Sequence, residues 1–293
     1  MGSVSPLGLR FRFVFAAQYA RLAALVAAFL LSVVCPAQLA HETQFSQAAQ
    51  AVLDRNFASP DISFLLLDHS GSVLAERWPS QSPVPPGSLV KPFLAIAYAE
   101  QHGGKFPRVL CQGTRTRCWL PAGHGSLSLE EAIAQSCNTY FRELAIATDR
   151  QRATLTFARY GLNGPDATAD SDSLIGLGTE WRESPLAIAK AYFAIEGERN
   201  SSLQAAILKG MFGSAEHGTA HSIDAALGKN AALAKTGTAV CSHTPHAAAD
   251  GFTLVLYPAA EPRLLLLVRV HGVTGSTSAR TAAAMLRSLG AGQ

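Results

Sequence analysis

The stretch ISFLLLDHSGSVLAERW (Ile62–Trp78) reads as two strands, ISFLLLD and SVLAERW, joined by a tight turn at Gly71. Strand character returns only late in the chain, in ALAKTGTAV (Ala232–Val240), GFTLVLYP (Gly251–Pro258) and RLLLLVRV (Arg263–Val270). Between these ends the pattern is helical. Phe45, Ala48, Ala49, Val52 and Leu53 already share a helical face before the hairpin. A helix is expected from about Ser88 to the stop at Gly103 and Gly104. Ser128 and Glu131 stand at capping-box spacing, so another starts near Leu129. Further helical pattern covers residues 139–148, 151–160, 185–196 and 202–212. STSARTAAAMLRSL (Ser276–Leu289) closes the chain as a helix with Ser276 or Thr277 as its cap. Strands at both ends and helices between them predict an α+β fold. One five-stranded antiparallel sheet is built from both chain ends, with a mostly helical middle subdomain beside it. Alternating βαβ units are missing, which argues against a doubly wound parallel sheet.

The chain has 293 residues, with 24 Lys and Arg against 21 Asp and Glu. Arg10, Arg12 and Arg21 precede residue 41 and no acid does, so the remainder is charge-balanced and nothing points to nucleic acid. Those arginines lead into LAALVAAFLLSVV (Leu22–Val34), followed by small residues. Residues 1–40 therefore read as a signal peptide, cleaved after Ala37 or Ala40, or as an uncleaved N-terminal anchor. Either way the rest, residues 41–293, is expected to be exported, to a periplasmic or other extracytoplasmic location. Membrane contact is expected only if the leader stays. Export permits disulfides, and Cys111 and Cys118, flanking QGTRTR, are the first candidates for a loop-closing bridge. Cys137 and Cys241 read as free thiols. No C-x-x-C occurs, so zinc held by four cysteines is a poor fit.

Three short motifs carry the chemistry. In PPGSLVKPF (Pro85–Phe93), Ser88 and Lys91 share a face at i,i+3 just where a helix begins. A serine hydroxyl is a weak nucleophile until a base takes its proton, and lysine is that base only when its pKa falls. The plain alternative is a helix cap followed by an exposed lysine. In QSCNTYF (Gln135–Phe141), Ser136, Cys137 and Asn138 interrupt a helical pattern and could present side chains to a cleft, or simply form a turn. In AKTGTAV (Ala234–Val240), Lys235 could hold a carboxylate, and Gly237 suits close approach of a backbone and a ligand. An edge strand ended by a lysine has the same look.

One S-x-x-K, one S-x-N and one K-T-G, in that order and each in a suitable element, resemble the motif set of penicillin-binding proteins and class A β-lactamases. GSVLAERW, GHGSLSLEEAIAQSCNTYF (Gly123–Phe141), IGLGTEWRESPLAIAKAYFAI (Ile175–Ile195) and HGTA (His217–Ala220) are similar to further parts of a penicillin-binding transpeptidase domain, over about residues 45–290. The resemblance implies a serine D,D-transpeptidase acting on the D-Ala-D-Ala end of peptidoglycan stem peptides, with β-lactams as covalent inhibitors. Carried over by motif, Ser88 is the nucleophile, Lys91 its base, and Ser136 the relay to the leaving amine. Asn138, Lys235, Thr236, Gly237 and Thr238 would be substrate-binding, and the backbone N–H groups of Ser88 and Thr238 an oxyanion hole. Lys91 is expected to titrate low because it would lie near a second ammonium, Lys235, in a partly closed cleft. No cofactor and no metal are expected. His217 and His221 at i,i+4, and the pair His243 and His246, lack the H-E-x-x-H pattern. His124 is expected to shape its loop.

Three other readings stay open. A D,D-carboxypeptidase differs only in letting water resolve the acyl-enzyme. A serine β-lactamase must deacylate fast, which class A members do with a Glu in an E-x-x-x-N loop after S-D-N. A non-catalytic cell-wall or β-lactam sensor would keep the fold without the turnover. Little chain separates the leader from the first helix, and the span from Ser136 to Lys235 is compact for a transpeptidase. Cell-wall synthesis or remodelling proteins are therefore possible partners.

Overall fold

The computed structural model describes residues 36–241 and 249–292. The leader, apart from its last few residues, and the pair His243 and His246 lie outside the described residues. No helix of the described residues is long and apolar enough to cross a membrane. The first helix, α1, spans Pro36–Asn56, and from Ala49 onward the chain forms one compact unit.

In that unit β1 (Ile62–Asp68) and β2 (Val73–Glu76) form the N-terminal hairpin, turning at Gly71 with φ +81°. β5 (Leu233–Ala239), β6 (Asp250–Tyr257) and β7 (Leu264–His271) follow late in the chain. The five strands form one antiparallel sheet in the order β2-β1-β7-β6-β5. Leu65 pairs with Leu267, Leu66 with Leu266, and Val255 with Leu266 across the next ladder. The expected fold class and sheet composition are therefore what the chain adopts.

The long apolar runs in β1, β6 and β7 have a structural reason. A strand sends alternate side chains to opposite faces, so LLLL is compatible only with a sheet covered on both sides. One face carries Leu65, Leu67, Leu254, Leu256, Leu265 and Leu267, packed in a cluster with Phe93, Ile96 and Tyr192 of the helical middle. The closing helix α10 (Gly275–Ser288) packs against β6 and β7 and buries Ala279, Ala282, Ala283, Met285 and Leu286. Leu66, Val255, Leu266 and Val268, of opposite parity along their strands, are fully buried too. α10 starts earlier than its sequence suggests, with Thr274 as the cap residue.

The middle section supplies α2 (Lys91–Gln101), β3 (Val109–Cys111), β4 (Gly125–Leu127), α3 (Leu129–Ala134), α4 (Asn138–Ala147), α5 (Arg150–Arg159), α6 (Ser171–Leu174), α7 (Pro185–Gly197), α8 (Ser202–Glu216) and α9 (Ser222–Leu227). The capping box at α3 forms as its spacing implies: the Glu131 N–H donates to Ser128 Oγ, and the Ser128 N–H donates to Glu131 Oε2 at 2.6 Å. Asp149 and Ser184 cap α5 and α7 with their side-chain oxygens. The small β3–β4 pair was not legible, because three residues per strand are too few to show a period.

Leu266 lies at the crossing of both ladders and is fully buried. Leu266→Ala is expected to lower unfolding stability by about 2–5 kcal/mol in a denaturant titration. A loss under about 1 kcal/mol would contradict a sheet packed on both faces.

Candidate active site

Ser88 sits in a single 3₁₀ turn, Gly87–Val90, that runs directly into α2, whose first residue is Lys91. The sequence places Ser88 in the first turn of the α-helix; the structure places it one element earlier. The difference helps the pairing, because three residues complete a 3₁₀ turn and positions i and i+3 eclipse. The Lys91 N–H donates to the Ser88 carbonyl, and Ser88 makes no side-chain cap bond. Gly87 is left-handed at φ +56°, and a Cβ there would lie 2.8 Å from the Thr238 carbonyl oxygen. Only glycine lets this turn press against β5. Gly237 has the complementary role. A Cβ on it would sit 3.2 Å from both the Pro86 carbonyl oxygen and Leu89 Cγ. The close backbone approach expected at Gly237 is thus to the turn that bears Ser88.

The S-x-N segment is the end of one helix and the start of the next. Ser136 follows α3 in the left-handed region, φ +49°. Its N–H donates to the Ile133 carbonyl, and the Cys137 N–H to the Ala132 carbonyl. This is a Schellman closure with serine where glycine is usual. A non-glycine residue held there stores of order 1 kcal/mol of strain. Cys137 is then the extended residue that opens α4, and Asn138 is the first residue of that helix.

Two buried ammonium groups grip this turn. Lys91 Nζ donates to the Ser136 carbonyl at 2.8 Å and to Asn138 Oδ1 at 2.6 Å, and lies 5.5 Å from the centre of the Phe141 ring. Lys235 Nζ donates to Ser136 Oγ at 2.8 Å and to the Thr236 carbonyl at 2.6 Å. Both lysines are fully buried. Burial pulls the Lys91 pKa down to about 7; the Cys137 and Cys118 thiols oppose the shift and Arg142 adds to it. The expected direction holds, but the leading cause is loss of water rather than the second ammonium. Lys235 falls well below the ordinary lysine value, again chiefly through burial and then through repulsion from Lys91.

A neutral amine has two N–H bonds and one lone pair. The two acceptors of Lys91 use both N–H bonds, leaving the lone pair for a proton from elsewhere. Asn138, with Oδ1 taken by Lys91, keeps its amide N–H₂ to donate. Ser136 Oγ accepts from Lys235, so its own O–H can point to a third group. Among the described residues the Ser88 hydroxyl makes no hydrogen bond with another side chain, and it opens on the cleft.

That cleft has a volume of about 380 Å³ and is lined by Ser88, Ser136, Asn138, Thr236, Gly237 and Thr238, all singled out from sequence. Lys91 and Lys235 lie beneath its floor. Trp119, Leu177, Thr219, Thr274 and Ser276 complete the lining and were not singled out as site residues. Thr219 Oγ1 meets Thr236 Oγ1 at 2.6 Å, and the Gly275 N–H donates to Thr238 Oγ1 at 3.0 Å. Lys235 is fully buried and bonded to Ser136 Oγ, and the side chains lining this end of the cleft are hydroxyls.

The remaining candidates are placed as follows. His217 ends α8 beside Glu216, and His221 contacts the Gly218 carbonyl; they do not converge. The bridge suggested between Cys111 and Cys118 is not formed: all four described cysteines are free thiols. Cys111 and Cys118 instead turn their sulfurs toward His124 Nδ1, at 3.5 and 3.6 Å.

The comparisons can be set against this geometry. A family model described as the penicillin-binding protein transpeptidase domain matches residues 68–289. Penicillin-binding protein 2 of Pseudomonas aeruginosa superposes with a TM-score of 0.68 at 20% identity, over 83% of this chain and 76% of that one. Penicillin-binding protein 2 of Helicobacter pylori, in complex with MreC, gives 0.71 at 19%, over 83% of this chain and 63% of that one. Penicillin-binding protein A of Mycobacterium tuberculosis, in a ceftriaxone acyl-enzyme complex, gives 0.63 at 18%, over 85% and 78%. No curated protein sequence matches the chain. At these identities the superpositions establish the fold alone. The family match spans most of the chain and contains Ser88, Lys91, Ser136, Asn138 and the Lys235–Thr238 strand, and on that ground the chain belongs to the penicillin-binding protein transpeptidase-domain family.

Proposed function

We propose that the protein is an exported penicillin-binding serine D,D-transpeptidase, with residues 41–293 as its catalytic domain and peptidoglycan stem peptides as its substrate. The observation that carries this reading is the junction of Lys91, Ser136 and Lys235 beneath a cleft that exposes the Ser88 hydroxyl. The Ser88 oxygen attacks the carbonyl carbon between the two D-alanines, and its proton passes to the Lys91 lone pair. A new C–O bond forms, and the C–N bond to the terminal D-alanine breaks. The leaving amine takes a proton through the Ser136 hydroxyl. The Asn138 amide holds the substrate backbone, and the hydroxyls of Thr236 and Thr238 receive the terminal carboxylate. β5 is the edge of the sheet, so an extended peptide can lie along it. The backbone N–H groups of Ser88 and Thr238 stabilise the oxyanion, each worth about 3–4 kcal/mol in such sites. An amine from a second stem peptide then resolves the acyl-enzyme. β-Lactams would acylate the same serine and stay.

Intact-mass spectrometry after incubation with benzylpenicillin is expected to show one lasting adduct, located on Ser88 and lost in Ser88→Ala. An adduct that persists in Ser88→Ala, or fast release of penicilloate, would overturn the assignment. The acylation rate should rise with pH through about 7, since deprotonation of Lys91 frees the base. A rate that is flat from acid to alkaline pH would contradict that role. Lys91→Met should slow acylation about 10²–10⁴-fold. With a stem-peptide mimic and an acceptor amine, aminolysis product is expected; hydrolysis alone would make the enzyme a carboxypeptidase.

A further inference from the structure

Three thiols and an imidazole converge at one point beside the cleft. Cys111 ends β3, Cys118 lies in the loop after it, His124 immediately precedes β4, and Cys137 stands between Ser136 and Asn138. Their ligand atoms all lie within 4.8 Å of one another. Cys111 Sγ is 3.5 Å and Cys118 Sγ 3.6 Å from His124 Nδ1, and Cys118 Sγ is 3.8 Å from Cys137 Sγ. The three cysteines are buried. A sulfur pair at 3.8 Å is far from the roughly 2.05 Å of a disulfide.

Three of the six separations match the edges of a tetrahedron, and the rest lie within 4.8 Å. With zinc–sulfur bonds of about 2.3 Å and zinc–nitrogen bonds of about 2.0–2.1 Å, sulfurs stand about 3.8 Å apart and a sulfur and a nitrogen about 3.6 Å apart. The surroundings fit as well. Thr139 Oγ1 donates to Cys111 Sγ at 3.4 Å, the kind of outer hydrogen bond that orients a ligand. With Nδ1 aimed at the thiols, the ring proton of His124 belongs on Nε2, which is buried without a hydrogen-bond partner among the described residues. The buried Arg142 guanidinium, paired with Asp172, donates to the Arg117 carbonyl next to Cys118 and so fixes the loop that carries that ligand.

We propose that Cys111, Cys118, His124 and Cys137 form a closed Cys₃His site for zinc, whose role is to staple a wall of the cleft to the turn that carries Ser136 and Asn138. Four protein ligands leave no open position, so the ion is structural rather than a reactant. Three thiol protons leave when it binds. The wall it fixes bears Trp119, which lines the cleft, lies edge-on to His124 at 5.3 Å and donates from Nε1 to the Gln135 carbonyl. One ligand, Cys137, lies between two residues of the S-x-N motif, so the ion would set the spacing between wall and floor. The spacing C-x₆-C-x₅-H-x₁₂-C contains no C-x-x-C, which is why the sequence alone pointed away from a metal.

The test is the metal content of the full chain purified without chelators, followed by cobalt(II) replacement. One equivalent of zinc per chain is expected, retained through dialysis and released when the thiols are modified. Cobalt should give the sulfur-to-metal charge-transfer band and the visible bands of a tetrahedral site. Cys118→Ser and Cys111→Ser should lose the ion, while Cys241→Ser, outside the cluster, keeps it. Should the first two fail to fold, the stoichiometry and cobalt spectrum of the unmodified chain still decide. A metal-free chain with three native thiols that does not take up added zinc, a Cys118–Cys137 disulfide, or an octahedral cobalt spectrum would each overturn the proposal. None of these readouts depends on catalysis, so they stand or fall separately from the proposed activity.

Discussion

The turn at Ser136 is held by two lysine nitrogens that have lost their water. Taking a charge out of water costs several kcal/mol per ion unless hydrogen bonds replace the solvent. Here each nitrogen has two acceptors, and three of the four belong to Ser136 and Asn138. The two lysines also repel one another. Burial disfavours the charged form, and Lys91 becomes a base near neutral pH. The same contacts that close the core therefore create the reactive group.

Everything else in the structure serves to bring the three segments together. The sheet carries Lys235 on its edge strand, where side chains and backbone can face a cleft. Gly87 and Gly237 remove the two Cβ atoms that would keep the Ser88 turn from that strand. The 3₁₀ turn aligns Ser88 with Lys91, and the left-handed Ser136 breaks one helix so that another can begin with Asn138. Thr219, bonded to Thr236 and to the end of α3, ties the helical side to the strand. Backbone strain at Ser136 and buried charge at two lysines are local costs that the packed sheet and helices offset.

Much of this was legible before any coordinates. Apolar runs at the two chain ends and helical periodicity between them were enough for the sheet and its partners, because burial dictates both patterns. The order S-x-x-K, S-x-N, K-T-G named the cleft. What stayed hidden depends on convergence between segments far apart in sequence. Trp119 and Thr219 reach the cleft through loop paths that no periodicity encodes. The fate of the cysteines was misread for the same reason: Cys111 and Cys118 looked like a pair because they are neighbours in sequence. In space they share His124, and Cys118 also meets Cys137. The low Lys91 pKa was expected from a second ammonium and a partly closed cleft, but sequence does not show the depth of burial that makes loss of water the leading cause.

The central claim is that Lys91 is an amine, not an ammonium, near neutral pH. It is tested most directly by following the side-chain ¹³Cε chemical shift of Lys91 in lysine-labelled protein across a pH titration, with Lys91→Met used to identify the signal. A midpoint near 7 is expected. A signal that titrates at the ordinary lysine value of 10.5 would mean that the buried nitrogen keeps its proton, and the nucleophile at Ser88 would have no base.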